Sequence, residues 1–155
     1  MDPSREQAAL LQRCNIRPTY PRIKVLAYLM TGRAHPTADE IYSSLVREIP
    51  SLSKMTVYNT LKLLAQAKLI RVVNIGDKEL RYDAIMTKHG HFKCDSCGVI
   101  CDFPVDSDAI AVEGLDGCTI TEKDVLVRGL CPQCTANRRE GAGKPKPAKP
   151  QKIKI

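Results

Sequence analysis

Tryptophan is absent from the 155 residues, and phenylalanine occurs twice. An aromatic core is therefore excluded. With 43% apolar residues, a core has to be packed from leucine, isoleucine and valine. No apolar run approaches the roughly 18 residues of a helical membrane span, so a membrane partner is not expected. The opening Met1-Asp2-Pro3-Ser4-Arg5-Glu6 carries acids and lacks the apolar stretch of a signal peptide. A cytoplasmic location is the expectation.

Histidine is scarce, at three residues, whereas cysteine is abundant, at seven. In a reducing compartment paired cysteines read as metal ligands rather than disulfides. The odd count leaves at least one cysteine outside any pairing. Charge is unevenly spread along a chain whose formal net charge is +7. Residues 1–83 carry +5, residues 84–136 carry −4 and residues 137–155 carry +6. These limits mark a basic first domain, an acidic second one, and a Gly-, Pro- and Lys-rich tail expected to be disordered. Basic ends favour a polyanion such as DNA.

The first domain reads as helices followed by a hairpin. Asp2-Pro3 opens a helix that stops near Cys14-Asn15, and Thr19-Tyr20-Pro21 opens a second that Gly32 ends. Thr37 and Glu40 fit a capping box for a third helix, running to about Glu48. Ser51 or Ser53 caps a fourth helix, with Val57, Leu61, Leu64 and Ala65 at helical spacing. Leu69–Val73 and Glu79–Asp83 flank a Gly-Asp turn and read as a β-hairpin. This order is the winged-helix plan, with the fourth helix as recognition helix. Its polar face offers Ser53, Lys54, Thr56, Tyr58, Asn59 and Lys62 for phosphate or base contact.

The second domain reads as a small α/β module, which makes the whole chain α+β. His91–Lys93 and Val99–Phe103 are strand candidates around a cysteine-rich turn. Asp106–Leu115 is a candidate helix. Thr119–Thr121 and Val125–Leu130 are further strand candidates, and a short helix is the alternative to disorder at Thr135–Arg139.

Cys94, Cys97, Cys131 and Cys134 form two C-x-x-C pairs separated by 33 residues. Four thiolates make a closed tetrahedral shell suited to structural zinc, with no position left for a catalytic water. A zinc enzyme is the weakest reading on that ground. Cys14, Cys101 and Cys118 read as small packing residues. His89 and His91 alternate along a strand, so both imidazoles face one side. With His35, Asp83 and Asp102 they offer a nitrogen and oxygen set suited to divalent iron, manganese or zinc.

These stretches assemble into a family pattern. Ile16–Arg22, His35–Tyr42, Thr56–Leu61, the H-x-H ahead of C-x-x-C-G, and the closing Gly-Leu-Cys-Pro-Gln-Cys occur in the family's order. Over residues 5–134 the chain resembles the ferric uptake regulator family, and most of all its peroxide-sensing branch. The resemblance implies a homodimeric, metal-dependent DNA-binding repressor, with an N-terminal winged helix and a C-terminal dimerisation domain. It adds Arg17, Tyr20 and Arg22 of the opening motif to the DNA-contacting residues. It implies Fe(2+) or Mn(2+) as a regulatory ion on His35, Asp83, His89, His91 and Asp102, beside structural Zn(2+). It further implies double-stranded operator DNA as partner and peroxide as signal. Asn59 fits the peroxide-sensing branch. Gly90 lies where iron sensors often have aspartate. A sensor of iron, manganese or zinc supply is the near alternative, and a non-sensory zinc-ribbon winged-helix assembly module the distant one.

Overall fold

The structure, a computed structural model, describes residues 3–32, 35–76 and 79–139. The chain divides into two compact units, residues 1–86 and 87–155.

In the first unit α1 (Pro3–Arg13) ends where Asn15 turns left-handed, at φ 58°. The N–H groups of Asn15 and Ile16 donate to the carbonyls of Gln12 and Leu11, satisfying acceptors that a helix end otherwise exposes. Helix α2 (Tyr20–Thr31) starts after Thr19 with Pro21 in its first turn. In α3 (Ala38–Leu45) the capping box is complete: Thr37 Oγ1 accepts from Glu40 N at 3.2 Å, and Glu40 Oε2 accepts from Thr37 N at 2.7 Å. This helix stops three residues before Glu48, because Glu48 N bonds the Leu45 carbonyl in a tighter turn. Helix α4 (Lys54–Gln66) is capped by Ser53, not Ser51.

The hairpin consists of β1 (Arg71–Val73) and β2 (Arg81–Asp83), antiparallel, with Val72 opposite Tyr82. Its first strand is shorter than the Leu69–Val73 run suggests. Lys68 turns left-handed at φ 55°, and Leu69 N reaches back to Leu64 O to close α4. Leu11, Val25, Leu26, Ile41, Val57, Leu61 and Leu64, together with Ile70, form the centre of an aliphatic core. The α4 face at 57, 60, 61 and 64 is thereby buried.

In the second unit β3 (Gly90–Cys94) is central. Strand β4 (Ile100–Phe103) runs antiparallel to it and β5 (Leu126–Gly129) parallel. The parallel pairing requires a long crossover, here residues 104–125. Asp106–Leu115 is not a helix, contrary to the sequence expectation. Asp106 accepts from Asp108 N, Lys123 Nζ takes the carbonyls of Asp108 and Ile110, and Gly114 is left-handed. A local Asp106 bond and the more distant Lys123 side chain thus outcompete the helix. Thr119–Thr121 forms no strand either; β4 and β5 already occupy both edges of β3. Helix α5 (Pro132–Arg139) reaches three residues into the segment expected to be disordered, so residues 137–139 are ordered. The remainder of that tail, and the Asp2 helix cap, lie outside the described residues.

Candidate metal centres and nucleic-acid interface

The two C-x-x-C pairs meet. Cys94 ends β3, Cys97 lies in the turn to β4, Cys131 precedes α5 and Cys134 lies in its first turns. Their four sulfur atoms lie within 4.8 Å of one another. Zinc–sulfur bonds of about 2.3 Å put the sulfurs of a tetrahedral shell about 3.8 Å apart. The Cys97 and Cys131 sulfurs are 3.8 Å apart. The donor set therefore fits zinc in both chemistry and size.

The local backbone builds this knuckle. Cys94 N donates to Val99 O, Gly98 N donates to Cys94 O, and Gly98 takes the left-handed turn at φ 72°. Burial alone would push the Cys94 thiol up. The N–H groups of Cys97, Cys131 and Ser96 outweigh burial and bring it down to about 6. Burial pushes Cys134 up to about 12, with the neighbouring thiols adding to the rise. A cation among the four offsets the cost of crowding thiolates together.

Each unit also gathers part of the nitrogen and oxygen set. In the first, the loop before α3 is tied to β2. Tyr82 N donates to Pro36 O at 3.0 Å, Arg81 Nη1 donates to His35 O at 3.0 Å, and Thr37 bridges Arg81. His35 sits at φ 44°, an uncommon conformation for a residue with a side chain. Its Nε2 lies 3.9 Å from Asp83 Oδ2, and both residues are buried. Asp83 Oδ1 accepts from Ile85 N at 2.7 Å, and Arg71 Nη2 lies 3.7 Å from Oδ2.

In the second unit His91 on β3 stands opposite Asp102 on β4. The Nε2 atoms of His89 and His91 are 3.1 Å apart, and they lie 3.9 and 3.8 Å from Asp102 Oδ1. His89 Nδ1 bonds the Thr87 carbonyl at 2.7 Å, which turns Nε2 toward the other two groups. Gly90 between the histidines lies under the Phe103 ring; a Cβ there would come within 2.4 Å of it. Arg81 and the contact of Phe103 with Gly90 were not singled out from sequence. Only the cross-strand register brings Phe103 to Gly90.

On α4, Tyr58, Asn59 and Lys62 are exposed on the side opposite the core. Lys54 Nζ meets Asp39 at 3.0 and 3.1 Å, and the Thr56 hydroxyl pairs with Ser53 Oγ at 2.8 Å. Of the opening motif, Arg17 is exposed and its carbonyl accepts from Arg22 Nη1 at 2.9 Å. Tyr20 Oη donates to Glu48 at 2.8 Å, and Lys24 pairs with the same carboxylate at 2.6 Å.

A helical unit with a two-stranded wing, followed by a unit built around four cysteines and an imidazole–carboxylate cluster, defines a class: metal-responsive transcriptional regulators, which are not enzymes. Known proteins agree. The chain matches the ferric uptake regulator family over residues 13–116. It is 31% identical over 134 residues to the peroxide operon regulator of Bacillus subtilis, covering 84% of this chain and 92% of that one. It is 33% identical to the PerR protein of Streptococcus pyogenes, whose structure was described in connection with peroxide sensing and gene regulation. That structure superposes with a TM-score of 0.50, covering 86% and 94% of the two chains. The fold of the Vibrio cholerae ferric uptake regulator superposes with a TM-score of 0.64 at 21% identity, covering 80% and 98%. The chain belongs to the ferric uptake regulator family and is a metal-responsive repressor.

Proposed function

We propose that this repressor senses peroxide through oxidation of its own histidine ligands by bound Fe(II), and that it acts as a cytoplasmic homodimer on operator DNA. The convergence of His89, His91 and Asp102 carries this reading. Three nitrogen and oxygen donors, none of them sulfur, suit Fe(II) or Mn(II). His35 and Asp83, themselves side by side, supply the remaining ligands. The family resemblance and the Bacillus subtilis relative support the same assignment.

Binding of the regulatory ion biases the protein toward a DNA-competent arrangement. Bound Fe(II) would supply the reduction of peroxide beside its ligands, and His35 or His89 would be the imidazole that takes up the oxygen. An oxidised ring is a poor ligand, so the ion and then the operator are released. Mn(II) supports repression without this chemistry. Zinc on Cys94, Cys97, Cys131 and Cys134 is structural. The exposed Ile110, Val112, Leu115, Ile120 and Val127 of the second unit supply the apolar area for a dimer. On α4, Tyr58 and Asn59 read bases and Lys62 holds phosphate. Lys54, Thr56, Arg17, Tyr20 and Arg22 form the rest of the DNA surface.

The test is mass spectrometry of the Fe(II)-loaded protein after mild peroxide, paired with gel-shift titration. Added oxygen on His35 or His89, with loss of operator binding in the iron form and none in the manganese form, is expected. Asp102→Glu should keep metal-dependent binding and lose most of the peroxide response, because the longer carboxylate binds through both oxygens and fills the space peroxide needs. An iron form that stays on DNA with unmodified histidines makes metal supply the signal instead.

A further inference from the structure

Helix α4 carries one exposed large apolar side chain that neither the core nor the polar DNA-contacting set uses. Met55 is 65% exposed, the highest value among the large apolar residues described. Its neighbours in the first turn are engaged. Asp39 draws the Lys54 ammonium toward α3, where it also sits 5.7 Å from the centre of the Tyr42 ring. The Thr56 hydroxyl is held by the Ser53 cap. Met55 is the apolar side chain of that turn left in solvent. Residues 55, 58, 59 and 62 fall at i, i+3, i+4 and i+7, on one face. Met55 and the 47%-exposed Tyr58 therefore form an apolar ridge, followed by Asn59 and Lys62.

A recognition helix offers its N-terminal residues to base edges in the major groove. In that groove thymine alone presents a methyl group, which is read by apolar contact. A thioether on a flexible, unbranched chain matches such a target. The occupant is duplex DNA rather than an apolar protein surface, because residues 1–83 carry +5 and Lys62 lies on the same face. We propose that Met55 is a specificity-determining residue that reads the C5 methyl group of a thymine in the operator. This rests on α4 being the DNA-recognition helix.

The full-length, Mn(II)-loaded protein is first used to select its preferred duplex from a random library. Each thymine of that duplex is then replaced singly by deoxyuridine, which removes only the methyl group. Affinities are measured for wild type, Met55→Ala and Met55→Leu. At one thymine per half-site, wild type should lose affinity by a factor of about four, the worth of one buried methyl group. Met55→Ala should bind the thymine duplex more weakly by at least that factor and be indifferent to deoxyuridine at that position alone. Met55→Leu should keep part of the discrimination. Unchanged affinity and unchanged deoxyuridine sensitivity in Met55→Ala overturn the inference. So does an equal loss on selected and random DNA, which would assign Met55 to general affinity or helix stability. A wild-type protein that selects no sequence overturns the DNA-binding reading as well, which separates the two failures.

Discussion

The two units of this chain are held together by different chemistry. In residues 1–86, fifteen buried apolar residues from α1–α4, their connections and the wing pack into one cluster. In residues 87–155 the buried apolar cluster among the described residues is Cys94, Cys131 and Cys134, with Phe92, Cys97, Val99 and Leu130 partly buried around them. The first unit folds by removing aliphatic surface from water. The second has too little such surface and depends on its metal centre, as small domains commonly do. The four-cysteine centre thus sits where apolar burial is least, while α4 rests on an aliphatic core.

The sharpest way to break this contrast is to remove the zinc. Cys97→Ser, or chelation under denaturing conditions followed by refolding, should abolish protection of β3–β5 from amide exchange and leave α1–α4 protected. Structural zinc sites contribute on the order of 10 kcal/mol or more, so the loss should be complete. Protected β3–β5 amides in a zinc-free chain would contradict it. The converse experiment is Leu61→Ala, at a fully buried site of the first core. It should destabilise the first unit by about 2–5 kcal/mol, read from denaturant unfolding. Zinc bound per chain, measured by atomic absorption, should stay unchanged; joint loss would mean the two units are not independently stabilised.

Gly90→Ala sharpens the comparison from within the second unit. The new methyl group meets the Phe103 ring, at a cost of about 1–3 kcal/mol. The shift falls on the strand that carries His91, so Mn(II) affinity should drop by about tenfold or more. Phe103→Ala in the same chain should recover most of it, and failure to recover would remove the ring from the account. The smallest effect is expected at Thr37→Ala, which removes the α3 cap and costs about 1 kcal/mol. Because the same loop holds His35 to β2, the thermal midpoint and Mn(II) affinity should both fall slightly. A lower midpoint with unchanged affinity would separate the cap from the ligand.

Much of this was legible from the residues alone. The α1–α4 order, the capping box at Thr37, the wing, and the four-cysteine set depend on spacing within one element or on paired motifs, and such signals are local. Asp106–Leu115 misled because its apolar residues suggest a helix, while the left-handed Gly114 and the Lys123 side chain, arriving from 13 residues beyond Ile110, decide otherwise. Three features belong to the tertiary structure. The parallel addition of β5 to β3 joins segments more than 30 residues apart. The Phe103 ring over Gly90 explains that glycine as a steric requirement. The engagement of Lys54 by Asp39 leaves Met55 as the forward side chain of α4. Periodicity and motif spacing marked the helix caps, the core positions and the paired cysteines, because those are properties of neighbours along the chain, while the candidate histidine and aspartate ligands came from the family resemblance. Which side chains are already committed to one another was decided only by packing, because cross-strand register and interhelix contact are not properties of any single segment.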